Sequence, residues 1–238
     1  MPVENESSTE EKLDRLHNTL DNRTIKNSDG VDVTLHVTRE KFMKTKEEMW
    51  YITFEYEYKG EAAGFPFPFK ITLTYLLKNK GLQLAVQVEN TGDKKFPFSL
   101  GWHPYFWSSD LDKSEVHLYS EEKIITDESM IPIEKIAHTF PNPLVLKNQE
   151  FDHAFVLKDS TIAYKTPDYK IHLRTNSTTT NNAPQYVQLY TPSHRKSIAI
   201  EPMTAAADCF NNKMGVSILE PNNVHETTWM VEELSLIH

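Results

Sequence analysis

Three residues stand in settings that suit proton transfer. His103 lies in Ser99-Leu100-Gly101-Trp102-His103-Pro104-Tyr105-Phe106-Trp107, a polar imidazole among aromatic residues and beside a conformationally fixed proline. Partial desolvation and a rigid aim suit a proton donor or acceptor near neutral pH, although a histidine packed beneath rings would read the same way. Glu201 closes the apolar run Ser197-Ile198-Ala199-Ile200 and precedes Pro202, so a strand is expected to deliver a carboxylate to a sheet edge. Burial there would raise its pKa toward that of a useful general base; the alternative is a solvated strand-end carboxylate. Asp152, in Phe151-Asp152-His153-Ala154-Phe155, is an acid flanked by aromatics or else a turn residue with a satisfied side chain.

The other chemistry that composition allows is narrow. Ten histidines are scattered without HxH or HExxH spacing, and Cys209 is the only cysteine, so neither a metal site nor a disulfide framework is expected. The net charge of −9 disfavours nucleic acid, whose binding rests on cationic contacts to phosphate. Glycine numbers only 7 in 238 residues, and neither GxGxxG nor GxxxxGK[ST] occurs, so a dinucleotide or NTP cofactor is not expected. No run approaches the roughly 18 apolar residues of a membrane helix. The opening residues have no apolar core segment, and a cytoplasmic location is the expectation.

The elements that must position these groups follow a period of two. Trp50, Ile52, Phe54, Tyr56 and Tyr58 alternate with more polar residues, as do Ile71, Leu73, Tyr75, Leu77 and then Leu82, Leu84, Val86, Val88. Lys78-Asn79-Lys80-Gly81 supplies turn chemistry between the last two runs. Weaker strands are expected over residues 31–37, 115–119, 161–165, 169–175, 185–190, 197–201 and 226–233. Residues 8–16 read as a short helix: Ser8 and Glu11 have capping-box spacing, and Leu13 and Leu16 share a face. Many short strands with Pro and Asn punctuation predict an all-β chain, a large antiparallel β-sandwich in one domain over residues 1–238.

Several segments, in order, resemble the aldose 1-epimerase (galactose mutarotase) family: GFPFPFKITLTYLL, LQLAVQVENTG, PFSLGWHPYF, FDHAFVL, YVQLYTP, IAIEPMTAAADCFNN and ILEPN. The resemblance covers roughly residues 50–233 and implies a β-sandwich of the galactose mutarotase type. It implies an isomerase that interconverts the α and β anomers of a hexose without metal or cofactor. It further implies that His103 is the acid on the ring oxygen, that Glu201 takes the anomeric hydroxyl proton, and that Asp152 binds sugar hydroxyls. Trp102 and Tyr105 are candidates for an apolar wall against the sugar. The front end, residues 1–30, departs from the family pattern. A second active-site histidine, in a His-Gly motif, has as its counterpart only His17 in Leu16-His17-Asn18, and the arginine ahead of it has none. Missing strands there would expose a sheet edge, which a homodimer or the helix at residues 8–16 could cover. Two alternatives remain at this stage: a carbohydrate-binding relative with little or no turnover, and a sugar-phosphate mutarotase. The latter would want arginines near the cleft, and the motif-bearing half has only Arg174 and Arg195.

Overall fold

The computed structural model describes residues 23–26, 32–44, 47–177 and 185–236. The helix read over residues 8–16, and His17, lie outside the described residues.

Strands β1 (Arg23–Lys26), β2 (Asp32–Lys44), β3 (Glu47–Tyr58), β4 (Phe69–Lys78) and β5 (Gly81–Asn90) form a meander. Short strands follow: β6 (Phe96–Phe98), β7 (Tyr105–Trp107) and β8 (Glu115–His117). Then come β9 (Ser120–Thr126), β10 (Pro132–Ala137), β11 (Leu144–Val145), β12 (Asp152–Leu157), β13 (Thr161–Lys165) and β14 (Tyr169–Ser177). The chain continues with β15 (Gln185–Tyr190), β16 (Ser197–Met203), the single-turn helix α1 (Cys209–Asn212), β17 (Ser217–Leu219) and β18 (Val224–Leu236).

All the pairings are antiparallel. One sheet has ten strands in the order β1-β2-β3-β4-β5-β18-β14-β13-β8-β11, a second has six in the order β10-β9-β12-β15-β16-β7, and β17 pairs with β6. The alternation read in β3, β4 and β5 is therefore real sheet register: Ile52 faces Tyr75, which faces Leu84, which faces Trp229. Lys78-Asn79-Lys80-Gly81 makes the expected hairpin. Gly81 is required there by close approach, since a Cβ would sit 2.5 Å from the Val231 carbonyl oxygen.

The principal core lies between the six-stranded sheet and the β14-β13-β8 half of the large one. Phe155, Val187, Leu189, Ile198 and Ile200 meet Val116, Ile162, Tyr164, Ile171 and Leu173. Each residue of this kind contributes roughly 1.5–3 kcal/mol by leaving water. A second core sits on the other half, where Leu84, Val86, Val88 and Trp229 are capped by Phe96, Phe98 and Leu219 of the β6–β17 pair. Buried Asn90 ties this cap down: its amide donates to the Lys94 and Leu219 carbonyls at 2.9 Å each, and its Oδ1 accepts from the Gly92 amide. Further along the same face, Ile52, Phe54, Leu73 and Tyr75 are only half-buried.

The two arginines of the motif-bearing half have structural duties. Arg195 donates to Asp112 Oδ1 (2.6 Å) and to the Leu146 and Gln149 carbonyls (2.8 and 2.6 Å), so it clamps these loops together. Its guanidinium holds the Asp112 carboxyl below the ordinary carboxylate value. Arg174 pairs with Glu232 at 3.4 Å.

Candidate active site

The site is built from the outer face of the six-stranded sheet, and strand register explains why its residues converge. Cross-strand partners share a face. Ala154 of β12 pairs with Gln188 of β15, which pairs with Glu201 of β16. The neighbouring row runs Asp152, Tyr190, Ala199, Tyr105. Gly101 bridges Met203 and Tyr105 pairs with Ala199, so His103, midway between Gly101 and Tyr105, falls opposite Glu201. The intervening odd positions of β15 and the even positions of β16 (Val187, Leu189, Ile198, Ile200) point into the core.

Glu201 does not end its strand, as its position before Pro202 suggested. β16 continues through Met203, and the Pro202 carbonyl accepts the Trp102 amide at 3.1 Å. Glu201 therefore stands within the sheet, between Gln188 and His103. Its side chain is only 14% exposed, and Oε1 lies 3.2 Å from His103 Nε2. His103 itself is more open than its aromatic setting implied: its side chain is 53% exposed, with one ring face stacked on Tyr105 at 4.9 Å. Burial pushes the Glu201 pKa above the ordinary carboxylate value; the His103 imidazole opposes this shift and the Asp152 charge adds to it. Asp152 is exposed, and its Oδ1 accepts a 2.6 Å hydrogen bond from Gln188 Nε2.

A cavity of about 570 Å³ opens over this row. Its cause is visible in the ladder. β12 pairs with β9 only through Phe155–Lys123, Val156–Glu122 and Leu157–Ser120, with a register shift between the last two. Beyond Phe155 the pairing stops, leaving Asp152, His153 and Ala154 on one lip of the cavity and Ile124, Ile125, Thr126, Met130 and Pro132 on the other. His103, Gln188, Tyr190, Glu201 and Met203 also line it, and a small apolar cluster of Ile124, Val156, Tyr186 and Ala206 lies beside it. The volume falls within the usual range of small-molecule sites.

His103, Glu201 and Asp152 are thus brought to one cavity. Trp102 is not: alternation turns it inward, where it packs against both cores and stacks on Trp229 at 6.5 Å. Tyr105 lies on the outer face beside His103, 52% exposed, outside the cavity lining itself. Gln188, Tyr190 and Lys123 went unnoticed in the sequence. Gln188 had a signal, as the polar residue between Val187 and Leu189 in the YVQLYTP segment. Among the described residues no three His, Cys, Asp or Glu side chains gather to hold a metal ion.

The structure is thus an antiparallel sandwich with an imidazole–carboxylate contact at an open cavity of small-molecule size. The aldose 1-epimerase family pattern matches residues 37–230, and the chain belongs to that family. The uncharacterised protein YihR of Escherichia coli is 23% identical over 176 residues, which span 68% of this chain and 55% of YihR. The chain thus spans about half the length of this curated relative. Among solved structures, a galactose mutarotase-like protein from Clostridium acetobutylicum superposes with a TM-score of 0.70 at 18% identity, covering 86% of this chain and 68% of its own. Another, from Lactobacillus casei, gives 0.60 at 18% identity over 87% of this chain and 90% of its own. The fold is that of these proteins.

Proposed function

We propose that the protein is an aldose 1-epimerase that interconverts the α and β anomers of a hexose through acid–base ring opening. The observation that carries this reading is the 3.2 Å contact between a largely buried carboxylate, Glu201, and an exposed imidazole, His103, at the sugar-sized cavity. Opening a cyclic hemiacetal needs one proton removed from the O1 hydroxyl and one delivered to the ring oxygen O5. The Glu201 carboxylate takes the first, the His103 imidazolium gives the second, and the C1–O5 bond breaks to leave an aldehyde and a free hydroxyl. Rotation about C1–C2 presents the other carbonyl face. O5 then attacks C1 as His103 recovers its proton and Glu201 returns its own to O1, so both groups end as they began. Burial favours Glu201 as the base, because a carboxylate with a raised pKa binds its proton better. The open His103 side chain can swing away from Glu201 to admit the substrate between them.

Polarimetric or NMR exchange measurements on freshly dissolved α-glucose and α-galactose test the proposal. Acceleration proportional to protein concentration supports it. Sugar binding seen by calorimetry without acceleration would replace it with a binding protein of the same fold.

Asp152 has a separate role in this reading, holding sugar hydroxyls with Gln188. Asp152→Asn is expected to raise KM about tenfold, the effect of losing one charge-assisted hydrogen bond. Because the Asp152 charge also lifts the Glu201 pKa, the same variant should lower the pH at which activity fails on the acid side. A pH–rate profile beside the KM measurement checks both effects.

A further inference from the structure

We propose that Thr204 is a positioning residue whose hydroxyl anchors the Leu100–Pro104 segment to β16 and so holds His103 opposite Glu201. The inference rests on the acid–base reading of those two groups and adds the residue that sets the distance between them.

The segment that carries His103 lies between β6 and β7 and keeps the register of β7 against β16. Tyr105 pairs with Ala199 and Gly101 with Met203, so residues 100, 102 and 104 fall opposite 204, 202 and 200. These even positions are the hydrogen-bonded rungs of the antiparallel ladder. His103 and Glu201 form the non-hydrogen-bonded pair between two of them, the arrangement that brings cross-strand side chains closest.

Proline weakens both rungs that flank this pair. Trp102 donates to the Pro202 carbonyl at 3.1 Å, but Pro202 has no N–H with which to answer. Ile200 donates to the Pro104 carbonyl at 3.3 Å, and Pro104 likewise returns nothing. Each rung is left with one bond where an ordinary rung has two. The Leu100–Thr204 rung makes up the difference. The Thr204 amide donates to the Leu100 carbonyl at 2.9 Å, while the Thr204 carbonyl lies toward Gly215. The hydroxyl takes the place that this carbonyl leaves. Its Oγ1 accepts from the Leu100 amide at 2.9 Å and donates to the Leu100 carbonyl at 3.3 Å.

Packing alone does not fix the register. Leu100 and Trp102 turn inward onto the apolar cores, but such contact is non-directional. It keeps the segment on the sheet without setting how far it slides along β16. Thr204 does not line the cavity, so its effect on the reaction passes through His103.

Thr204→Val keeps the shape of the side chain and removes the hydroxyl, whereas Thr204→Ser keeps the hydroxyl. Thr204→Ala repeats the deletion if the valine variant does not fold, and melting temperatures check all three. In anomer exchange, Thr204→Val is expected to lower kcat about tenfold with KM changed by no more than about twofold, and Thr204→Ser to keep most of the rate. A second readout needs no turnover. The charged groups that face Glu201 are His103 and, from β12, Asp152, with the uncharged Gln188 between. The imidazole opposes the upward shift that burial gives the Glu201 carboxyl, so a displaced His103 should let the midpoint rise. Carbon-13 NMR titration of that carboxyl, assigned by its loss in Glu201→Gln, should give a higher midpoint in Thr204→Val than in the wild type or Thr204→Ser. A lower melting temperature with midpoint and kcat unmoved means a merely structural hydroxyl and overturns the proposal. So does a Thr204→Ser variant as slow as Thr204→Val. A midpoint that rises in a protein without anomer exchange would sustain the positioning role and reject the isomerase. Anomer exchange insensitive to Thr204→Val would do the reverse.

Discussion

Glu201→Gln is expected to lower the rate of anomer exchange by about 10²–10⁴-fold, the usual worth of a positioned general base. The amide keeps the size of the carboxylate but cannot take the O1 proton, and Gln188, Ala199 and the core beneath are untouched by the change. Sugar affinity should change far less than turnover, because Asp152 and Gln188 remain in place. The pH profile supplies the second signature. Glu201 works only when ionised, and burial has raised its pKa, so wild-type activity should fall as pH drops through a midpoint above 4.5, the ordinary glutamate value. The residual activity of Glu201→Gln should lack that acid limb. Retention of more than about a third of the wild-type rate, or an unchanged acid limb, would remove Glu201 from the chemistry. The comparison belongs at constant temperature and sugar concentration, with the spontaneous rate subtracted.

What could be seen in the sequence depended on whether a strand has one wet face. β3, β4 and β5 carry apolar residues on one face and polar ones on the other, and all three were legible from period two. β12 hid its nature because Phe155 and Leu157 enter the main core while Val156 enters the small cluster on the opposite face, so three apolar residues stand in a row. β9, with Ser-Glu-Glu-Lys-Ile-Ile-Thr, has no period to read, since it is an inner strand whose ladder with β12 breaks halfway. β6 and β7 are three residues each, too short to show alternation. The last case misled the reading of the aromatic run. Once β7 is known to be a strand, Trp102 and Phe106 must turn inward while His103, Tyr105 and Trp107 turn outward. Without that strand, Trp102 looked as good a sugar wall as Tyr105.

The site divides the same way. His103, Asp152 and Glu201 announce themselves through their neighbours and through the family resemblance. Gln188 owes its place to register, and the cavity owes its mouth to the parting of β9 from β12, which are long-range properties that no local window contains. The immediate contact of His103 with Glu201 was equally invisible. The resemblance gave the two groups separate proton-transfer roles and left their separation open, whereas the structure sets them 3.2 Å apart.

That contact makes His103→Gln the second large effect. The side chain is half in water, packs on one side against Tyr105, and makes its close polar contact with Glu201, so removing it should change stability by no more than about 0.5 kcal/mol. Loss of rate at an unchanged melting temperature is then a loss of chemistry. We expect about 10²–10⁴-fold, since glutamine cannot carry the proton that O5 must receive as the ring opens. The imidazole also opposes the burial shift of Glu201, so its removal should move the acid limb to higher pH, opposite to Asp152→Asn. Opposed shifts from two residues on either side of one carboxylate are hard to produce unless that carboxylate is the titrating base. The double variant His103→Gln/Glu201→Gln provides the last discrimination. Two groups that serve a single concerted transfer fail together, so the double should be little slower than the slower single. Multiplication of the two losses would mean that they act in separate steps, and the coupled proton exchange drawn from their contact would have to be abandoned.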